Sequence, residues 1–343
     1  MKTAVLICPG RGTYNRAELG TLARTFPDPA LMARFDAARR ETGRETLTEL
    51  DGAARFSQAK HGRGDAAAGL IYAATYVDML NLSEEIEVVA VTGNSMGWYT
   101  TLAAAGAVTP EVGFDITTTM GAMMQDNGQG GQTLYPHMGE VWLPDPTAKQ
   151  RLMDLVAEVS NRPNHVLALS IDLGGTLVLA GNEAGLAAFE AEVAPHDRFP
   201  MRLPAHAGFH SPLVQTVSDA ALAHFSPDLF GQPNLPMIDG RGQTWWPGAT
   251  DTKALWDYTF DHQVTRPYDF TRAIAVAARE FAPDLFIVTG PGTTLGGAVA
   301  QSLILTNWSG LTSKAAFQSR QAANPILISM GREEQRGLVT KGP

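Results

Sequence analysis

A serine between two glycines is the strongest candidate for catalysis in this chain of 343 residues. The segment Gly93-Asn94-Ser95-Met96-Gly97 fits the pattern G-x-S-x-G. In that pattern the glycines permit a sharp strand-to-helix turn that exposes the serine hydroxyl, and the following helix directs backbone N–H groups at a neighbouring oxygen. The alternative is a glycine-rich turn in which the serine only caps the helix. We interpret Ser95 as a nucleophile.

A nucleophilic serine needs a base, and two of the eight histidines lie in one unusual segment. His206 and His210 have the i,i+4 spacing of a helical metal-binding pair. Pro204 and Gly208 argue against a helix there, and the sequence offers no third ligand, so we expect no metal site. His210 directly precedes a Ser-Pro helix start, so it should project from the end of a loop, where a base can reach a serine. His210 is therefore the predicted base.

A second glycine-rich segment follows a predicted strand near the end of the chain. It reads Gly290-Pro291-Gly292-Thr293-Thr294-Leu295-Gly296. It does not fit the dinucleotide-binding pattern G-x-G-x-x-G, because Leu295 stands at the position of the third glycine. It also lacks the Lys-Ser/Thr pair of a P-loop. The segment is predicted to be a structural turn.

The elements around Ser95 have the pattern of an α/β domain. Short apolar runs predict a buried strand at 4–8, a buried parallel strand at 86–92 and a short apolar strand at 285–288. Apolar residues at helical spacing predict a buried helix at 65–81, and a second helix is predicted at 96–105. Ser95 would thus lie between a parallel strand and the helix that follows it.

The middle of the chain has a different order of elements. From about 131 to 204 the pattern predicts strand, helix, strand, strand, helix and strand, which is the order of the ferredoxin-like unit. We therefore expect a large α/β hydrolase-like domain with a short parallel sheet, formed by 1–130 and 205–330. The insert at 131–204 is expected to be a small ferredoxin-like α+β subdomain. The charged, glycine-containing end at 331–343 is expected to be a mobile tail.

Composition limits the class of protein. Hydrophobic residues make up 44% of the chain and charged residues 18%, which favours a folded core over disorder. The net charge of -9 makes general nucleic-acid binding unfavourable. The single cysteine, Cys8, excludes an internal disulfide and fits a reducing compartment. No apolar run reaches the roughly 18 residues of a membrane span. We expect a cytoplasmic protein that binds neither nucleic acid nor membrane.

Five segments, taken together, resemble the malonyl-CoA:acyl carrier protein transacylase family. Cys8-Pro9-Gly10-Arg11-Gly12 resembles its F-P-G-Q-G loop, and residues 93–99 resemble its G-H-S-L-G-E-Y elbow. Residues 208–213 resemble its G-x-F-H-S-P-L histidine loop. Residues 262–267 resemble its R-Q-L-x-x-P segment, and 290–292 match its late G-P-G. The segments follow one another in the order found in that family.

The resemblance implies a ping-pong acyl transfer that needs no cofactor besides the CoA of the substrate. Ser95 would attack the thioester of an acyl-CoA with His210 as general base, and an acyl carrier protein would then accept the acyl group. The resemblance further implies that the backbone carbonyl of Gln263 orients His210. The backbone N–H groups of Met96 and Arg11 would form the oxyanion hole.

Departures from the family pattern occur where acyl specificity is set. Met120 stands at the position of the family's dicarboxylate-binding arginine, so malonyl would lose a charge-assisted pair worth about 1.5–3 kcal/mol. Met120, Phe209 and Asn94 are expected to line the acyl pocket and to favour an unbranched monocarboxylic acyl group over malonyl. Arg11 replaces a glutamine of the family loop. In a competing hypothesis, Arg11 supplies the missing charge to a malonyl carboxylate.

The leading hypothesis for the function is an acyl-CoA:acyl carrier protein S-acyltransferase. One alternative is a hydrolase of acyl thioesters on the carrier protein, in which water replaces the carrier thiol. The other is a non-catalytic scaffold that binds the carrier, against which the intact Ser95 and His210 argue. An acidic carrier would need a local basic cluster, for which Lys60, Arg63 and Arg202 are candidates. The alternative is that these three are scattered, solvated charges.

Overall fold

Two mixed β-sheets organise the chain, and the computed structural model describes residues 1–341. The strands are β1 (Lys2–Cys8), β2 (Ile86–Gly93), β3 (Gly131–Pro136), β4 (Leu167–Leu173), β5 (Thr176–Gly181), β6 (Met201–Arg202), β7 (Met237–Ile238), β8 (Thr244–Trp245), β9 (Tyr268–Asp269), β10 (Leu285–Val288) and β11 (Leu327–Ser329). The helices are α1 (Thr21–Thr25), α2 (Pro29–Glu41), α3 (Leu47–Asp51), α4 (Gln58–His61), α5 (Gly64–Leu80), α6 (Gly97–Ala104), α7 (Pro110–Asn127), α8 (Pro146–Ser160), α9 (Glu183–Glu192), α10 (Gln215–His224), α11 (Thr252–Asp257), α12 (Gln263–Thr265), α13 (Phe270–Phe281), α14 (Leu295–Leu305), α15 (Lys314–Ala323) and α16 (Glu333–Arg336).

The first sheet has the strand order β11-β10-β1-β2-β7-β8. It is parallel from β11 to β7, and only β8 runs antiparallel to its neighbour. The inner strand β1 is buried from Ala4 to Cys8, as expected for a parallel strand covered on both faces. Cys8 lies opposite Gly93 in the register of β1 and β2. The loop after β1 and the turn after β2 therefore leave the sheet side by side.

The second sheet has the strand order β6-β3-β5-β4-β9. Its four strands from the 131–204 segment are antiparallel, and they stand in the spatial order fourth, first, third, second. That is the arrangement of a ferredoxin-like unit, so the predicted fold class is confirmed. Helices α8 and α9 pack on this sheet around their own apolar cluster. The domain boundaries stay a prediction, because the two-residue strand β9 joins the sheet from outside the insert.

The predicted helices near Ser95 are present. Nearly every residue of α5 is buried, and α5 packs against α7 in the large core. Helix α7 begins after Thr109, whose side chain accepts a hydrogen bond from the backbone N–H of Val112, with Pro110 in the first turn. Of the helices in residues 1–341, none has both the length and the apolarity that a membrane span requires.

The carboxyl-terminal segment differs from the expected mobile tail at 331–343. Arg336, on α16, forms an ion pair with the buried carboxylate of Asp78 on α5. Val339 is buried, and Thr340 forms a β-bridge with Leu82. Up to residue 341 the segment is thus attached to the core by long-range contacts, which its charged local sequence does not indicate. Residues 342 and 343 lie outside the described part of the chain.

Candidate active site

Ser95 lies on a sharp turn between β2 and α6. Gly93 ends the strand, and Gly97 begins the helix. The backbone of Ser95 has a φ of +56°, a left-handed conformation that costs a non-glycine residue about 1–3 kcal/mol. A Cβ atom on Gly97 would lie 2.1 Å from the carbonyl oxygen of Cys8, so only glycine fits there. The turn predicted from the glycine spacing is the turn that presents Ser95.

The loop that follows β1 packs directly against this turn. A Cβ atom on Gly10 would lie 2.5 Å from the carbonyl oxygen of Asn94, so the absence of a side chain permits the contact. Arg11, next in the loop, lines the same cleft as Ser95 and Met96. Over residues 1–341, the backbone N–H groups of Arg11 and Met96 have no protein acceptor. Two backbone donors beside Ser95 are therefore available to an added oxygen atom.

His210 contacts Ser95 through one ring nitrogen and Gln263 through the other. Its Nε2 atom lies 2.7 Å from Oγ of Ser95. Its Nδ1 atom lies 2.6 Å from the backbone carbonyl oxygen of Gln263. Because a carbonyl oxygen only accepts, Nδ1 carries the proton, and Nε2 is left to accept the hydrogen bond from the serine hydroxyl. The predicted pair and its predicted orienting carbonyl are thus brought together.

Burial determines the charge state of His210. The side chain is almost fully enclosed, and desolvation lowers its pKa to about 4, although the hydrogen bond to Gln263 acts in the opposite direction. His206 is also affected: burial, together with the positive charge of Arg11, lowers its pKa to about 3. Near neutral pH, His210 is therefore an uncharged imidazole that can accept a proton.

Gln263 acts through its side chain as well as its backbone. Its Nε2 atom donates to the carbonyl oxygen of Ser95 at 3.0 Å, and its Oε1 atom accepts from the hydroxyl of Tyr99 at 3.1 Å. A π-helical segment, Tyr258–His262, directly precedes it, an irregularity that is common at functional sites. The family resemblance implied only the carbonyl contact, so the side-chain contacts are an addition from the structure.

A hydrogen-bonded chain that the sequence did not reveal connects the ferredoxin-like insert to the histidine loop. Ser170, on β4, donates to the backbone carbonyl of Phe209 at 2.7 Å. Gln132, on β3, donates to Oγ of Ser170 at 2.6 Å. His206 donates from Nδ1 to Oε1 of Gln132 at 2.8 Å. His206 therefore takes part in the support of the loop, while His210 faces Ser95.

The cleft beside Ser95 is mostly apolar and has a volume of about 50 Å³. Its lining residues are Arg11, Gly64, Ala68, Ser95, Met96, Tyr99, Met120, Gly121, Met124, Phe209, His210, Gln263 and Val264. Met120 and Phe209 are among these residues. Asn94 is not among these lining residues. Successive residues on a tight turn project in different directions, and Oδ1 of Asn94 is buried without a hydrogen-bond partner in residues 1–341.

The three cations considered for carrier binding are all engaged within the chain. The ion pairs are Lys60–Glu45, Arg63–Asp65 and Arg202–Glu190, with N–O distances of 2.5, 3.1 and 2.5 Å. Pairing with a carboxylate reduces the field that a cation presents to an acidic partner. These contacts favour the alternative interpretation, in which the three are solvated surface charges.

No protein-family model and no curated protein matches the chain. Solved structures do match it. The malonyl-CoA:ACP transacylase of Synechocystis sp. PCC 6803 has a TM-score of 0.72 at 17% sequence identity, over 98% of this chain and 100% of that one. The acyl-carrier-protein S-malonyltransferase of Burkholderia pseudomallei has a TM-score of 0.71 at 21% identity, over 98% and 99%.

A third similar structure is a malonyl-transacylase in complex with a type II PKS acyl-carrier protein. Its TM-score is 0.70 at 18% identity, over 94% of this chain and 100% of that one. At such low identities the likeness concerns the fold, and it extends over nearly the full length of both chains. The fold that the sequence motifs predicted is therefore confirmed: this chain has the fold of the malonyl-CoA:acyl carrier protein transacylases.

Proposed function

We propose that this protein is an acyl-CoA:acyl carrier protein S-acyltransferase that forms an acyl-serine intermediate on Ser95. The observation that supports this most directly is the continuous contact from Ser95 through His210 to the carbonyl of Gln263, at 2.7 and 2.6 Å. The three solved proteins described above are malonyl transferases, and one of them is in complex with a carrier protein. The activities of these proteins support the reaction type and the partner proposed here.

In the first half-reaction, Ser95 takes the acyl group from CoA. Oγ attacks the thioester carbonyl carbon while Nε2 of His210 accepts the hydroxyl proton. The N–H groups of Met96 and Arg11 stabilise the negative charge that develops on the carbonyl oxygen. When the intermediate collapses, the C–S bond breaks, and the leaving thiolate takes the proton from His210. The products are free CoA and an ester on Ser95.

In the second half-reaction, the phosphopantetheine thiol of the carrier protein replaces CoA. His210 accepts the thiol proton, and the thiolate attacks the ester carbon. The bond between that carbon and Oγ breaks, and Ser95 regains its proton from His210. The serine proton leaves on the thiol of CoA, and the proton of the carrier thiol replaces it on Ser95. The cycle therefore leaves the enzyme unchanged, and no step of it uses a metal, nucleotide or redox partner.

The orientation of His210 depends on a neutral acceptor. The carbonyl of Gln263 holds Nδ1–H and stabilises the imidazolium that forms transiently, as a carboxylate does in a catalytic triad. A carbonyl carries no full charge, so it raises the basicity of His210 less than a carboxylate would. The proposed machinery is a Ser-His dyad in which Gln263 is a positioning residue.

The cleft sets a limit on the acyl group. A group the size of a water molecule needs roughly 10–15 Å³ of cavity volume. The cleft has a volume of about 50 Å³, so it accommodates about four groups of that size. That room is suited to a short acyl chain rather than a long fatty acyl chain. Met120 and Phe209 are among the residues on its walls.

Intact-mass spectrometry of the whole protein tests this function. The protein is mixed with acetyl-, butyryl- or malonyl-CoA and then with a phosphopantetheinylated carrier protein, and Ser95→Ala is the control. An acyl adduct that is absent from the control and passes to the carrier supports the proposal. An adduct lost to water at the same rate with and without carrier identifies a hydrolase. No adduct from any donor overturns the proposal and favours a carrier-binding scaffold.

A further inference from the structure

The π-helical segment before Gln263 sets the position of that residue. This π turn, Tyr258–His262, lies between α11 and α12. An α-helix turns by about 100° per residue, and a π turn contains one extra residue, so it rotates the residues that follow by about that angle. If the π turn relaxed to a regular α-helix, the carbonyl of Gln263 would no longer face Nδ1 of His210. The Ser-His pair therefore depends on the contacts that hold the π turn.

A tryptophan on α6, the helix that follows Ser95, makes two contacts with the π turn. Nε1 of Trp98 donates to Oγ1 of Thr259 at 3.0 Å. The ring of Trp98 meets the ring of Tyr258 edge to face, with the centroids 5.2 Å apart. Trp98 and Thr259 are fully buried, so water cannot replace their hydrogen bond. Glutamate stands at this position in the elbow motif that residues 93–99 resemble, so the motif itself does not supply these contacts.

The hydroxyl of Thr259 connects Trp98 to the backbone of the helix. Because the indole N–H only donates, Oγ1 of Thr259 acts as the acceptor, and its own proton must point elsewhere. That proton is donated to the carbonyl oxygen of Leu255 at 2.8 Å. Such a bond from a threonine to the carbonyl four residues earlier tends to bend a regular helix. Trp98 thus orients a hydroxyl that favours the irregular form of this segment.

Further side chains hold the π turn from two helices. The next residue of α6, Tyr99, donates to the side chain of Gln263 at 3.1 Å. Because Thr259 and Gln263 are four residues apart, adjacent residues of α6 contact two points about one helical turn apart. From the other side, Ser218 of α10 donates to the backbone carbonyl of Phe260 at 2.7 Å. The π turn is therefore held between α6, which follows the predicted nucleophile, and α10, which follows the loop of the predicted base.

We propose that Trp98 is a positioning residue for the Ser-His pair. Its indole N–H, bound to Thr259, holds the π turn in the form that places the carbonyl of Gln263 on Nδ1 of His210. The inference rests on the proposed function, because it takes His210 as the base. Trp98 and Thr259 are not among the residues that line the cleft, so their loss should change the rate of the chemical step and not the binding of a reagent.

Thr259→Val tests the hydrogen bond with almost no change in side-chain volume. The whole protein reacts with a fluorophosphonate, and both the maximal labelling rate and the concentration that gives half of it are measured. Loss of the bond should lower the maximal rate by about 3- to 10-fold and leave the half-saturating concentration within about 2-fold. Thr259→Ser keeps the hydroxyl and should restore most of the rate. An unchanged maximal rate, or a change in the half-saturating concentration alone, overturns the proposal.

Thr117→Val is the matched control for Thr259→Val. Thr117 is a fully buried threonine on α7, and its hydroxyl donates to the carbonyl oxygen of Gly113, four residues earlier, at 2.7 Å. The control therefore breaks the same kind of helix-internal bond at a site without a tryptophan contact to the π turn. Its labelling rate should stay within about 2-fold of the wild type. If Thr117→Val slows labelling as much as Thr259→Val does, the effect is one of general stability and the proposal fails.

Trp98→Phe removes the same hydrogen bond from the other side. If the indole N–H acts through Thr259, the double variant should label about as slowly as the slower single variant, because the bond can be lost only once. A rate that falls by the product of the two single effects means that the residues act independently, and it contradicts the proposal. If Trp98→Phe does not fold, the comparison of Thr259→Val, Thr259→Ser and Thr117→Val decides the question.

The tautomer of His210 is a readout that a purely structural role of Trp98 would not change. In protein with isotope-labelled histidine, NMR distinguishes an Nδ1–H from an Nε2–H imidazole, and the signals lost in His210→Ala identify this residue. We expect Nδ1–H in the wild type and a partial shift to Nε2–H in Thr259→Val but not in Thr117→Val. An unchanged tautomer in Thr259→Val overturns the proposal.

Failure of this inference can be told apart from failure of the proposed function. If His210→Ala reacts with the fluorophosphonate as fast as the wild type, His210 is not the base, and the proposed function is wrong. If His210→Ala is slow but Thr259→Val reacts like the wild type, the Ser-His pair stands and only the role of Trp98 is wrong.

Discussion

Oγ of Ser95 lies 2.7 Å from Nε2 of His210, although the two residues are 115 positions apart in the chain. Both have a left-handed backbone with a φ of +56°. For residues other than glycine this conformation is unfavourable, and it persists only where the surrounding structure holds it. Each residue is held by a different sheet: Ser95 follows β2, and the loop of His210 is hydrogen-bonded to β4 through Ser170.

Ser95→Ala should abolish covalent labelling by a fluorophosphonate and by acyl-CoA. The reason is that Oγ is the atom proposed to form the ester, and alanine removes it without adding bulk to the turn. Labelling is measured by intact mass. Ser57→Ala, at an exposed serine before α4, is the matched control and should label like the wild type. Undiminished labelling of Ser95→Ala would rule out this residue as the nucleophile.

His210→Ala should lower the rate of acyl-serine formation by roughly 10²–10⁴-fold, the usual contribution of a general base. His206→Ala should lower it far less, because His206 bonds to Gln132 rather than to Ser95. Rapid-quench measurements of acylation compare the two. If His206→Ala has the larger effect, the assignment of the base is wrong.

The acylation rate should depend on pH through His210. Burial lowers its pKa to about 4, and only the neutral imidazole accepts the proton from Ser95. The rate should therefore be constant from neutral pH down to about 5 and fall as the pH approaches about 4. The fluorophosphonate reaction measures this without a titrating substrate. A midpoint near the ordinary value of about 6.5 would contradict the buried, neutral state of the base.

Ser170→Ala should slow acylation by removing the hydrogen bond to the carbonyl of Phe209. One such bond contributes about 1 kcal/mol, so a loss of about 3- to 10-fold in kcat with little change in KM is expected. Ser170→Thr keeps a hydroxyl and should restore part of the rate. A change in KM alone would argue against a positioning role.

Thr133→Val is the matched control for Ser170→Ala. Thr133 lies on β3 of the same sheet, and its buried hydroxyl has no hydrogen-bond partner in the described residues. Removal of this hydroxyl breaks no hydrogen bond, so the rate should stay within about 2-fold of the wild type. If both variants lose the same activity, the effect of Ser170→Ala reflects the packing of the sheet and not its contact with the histidine loop.

The fold and the place of Ser95 could be predicted because each depends on local pattern. The apolar runs of β1 and β2 identify buried strands, and the glycines at 93 and 97 permit the turn between strand and helix. The order of strands and helices from 131 to 204 was enough to predict the ferredoxin-like insert. His210 was identified in the same way, since a Ser-Pro helix start follows it directly.

Only the tertiary structure decided which side chains surround Ser95 and His210. Asn94 is next to Ser95 in the sequence, yet it does not line the cleft, while Gln132 and Ser170 support the histidine loop from a different sheet. The contacts of the Arg11 guanidinium with the carbonyl oxygens of Gly62 and Ala205 are likewise a property of the folded chain. Local patterns specify backbone elements because their periodicity is short-ranged. Hydrogen-bond partners and uncompensated charges depend on distances between residues far apart in the chain, which are set only when the sheets assemble.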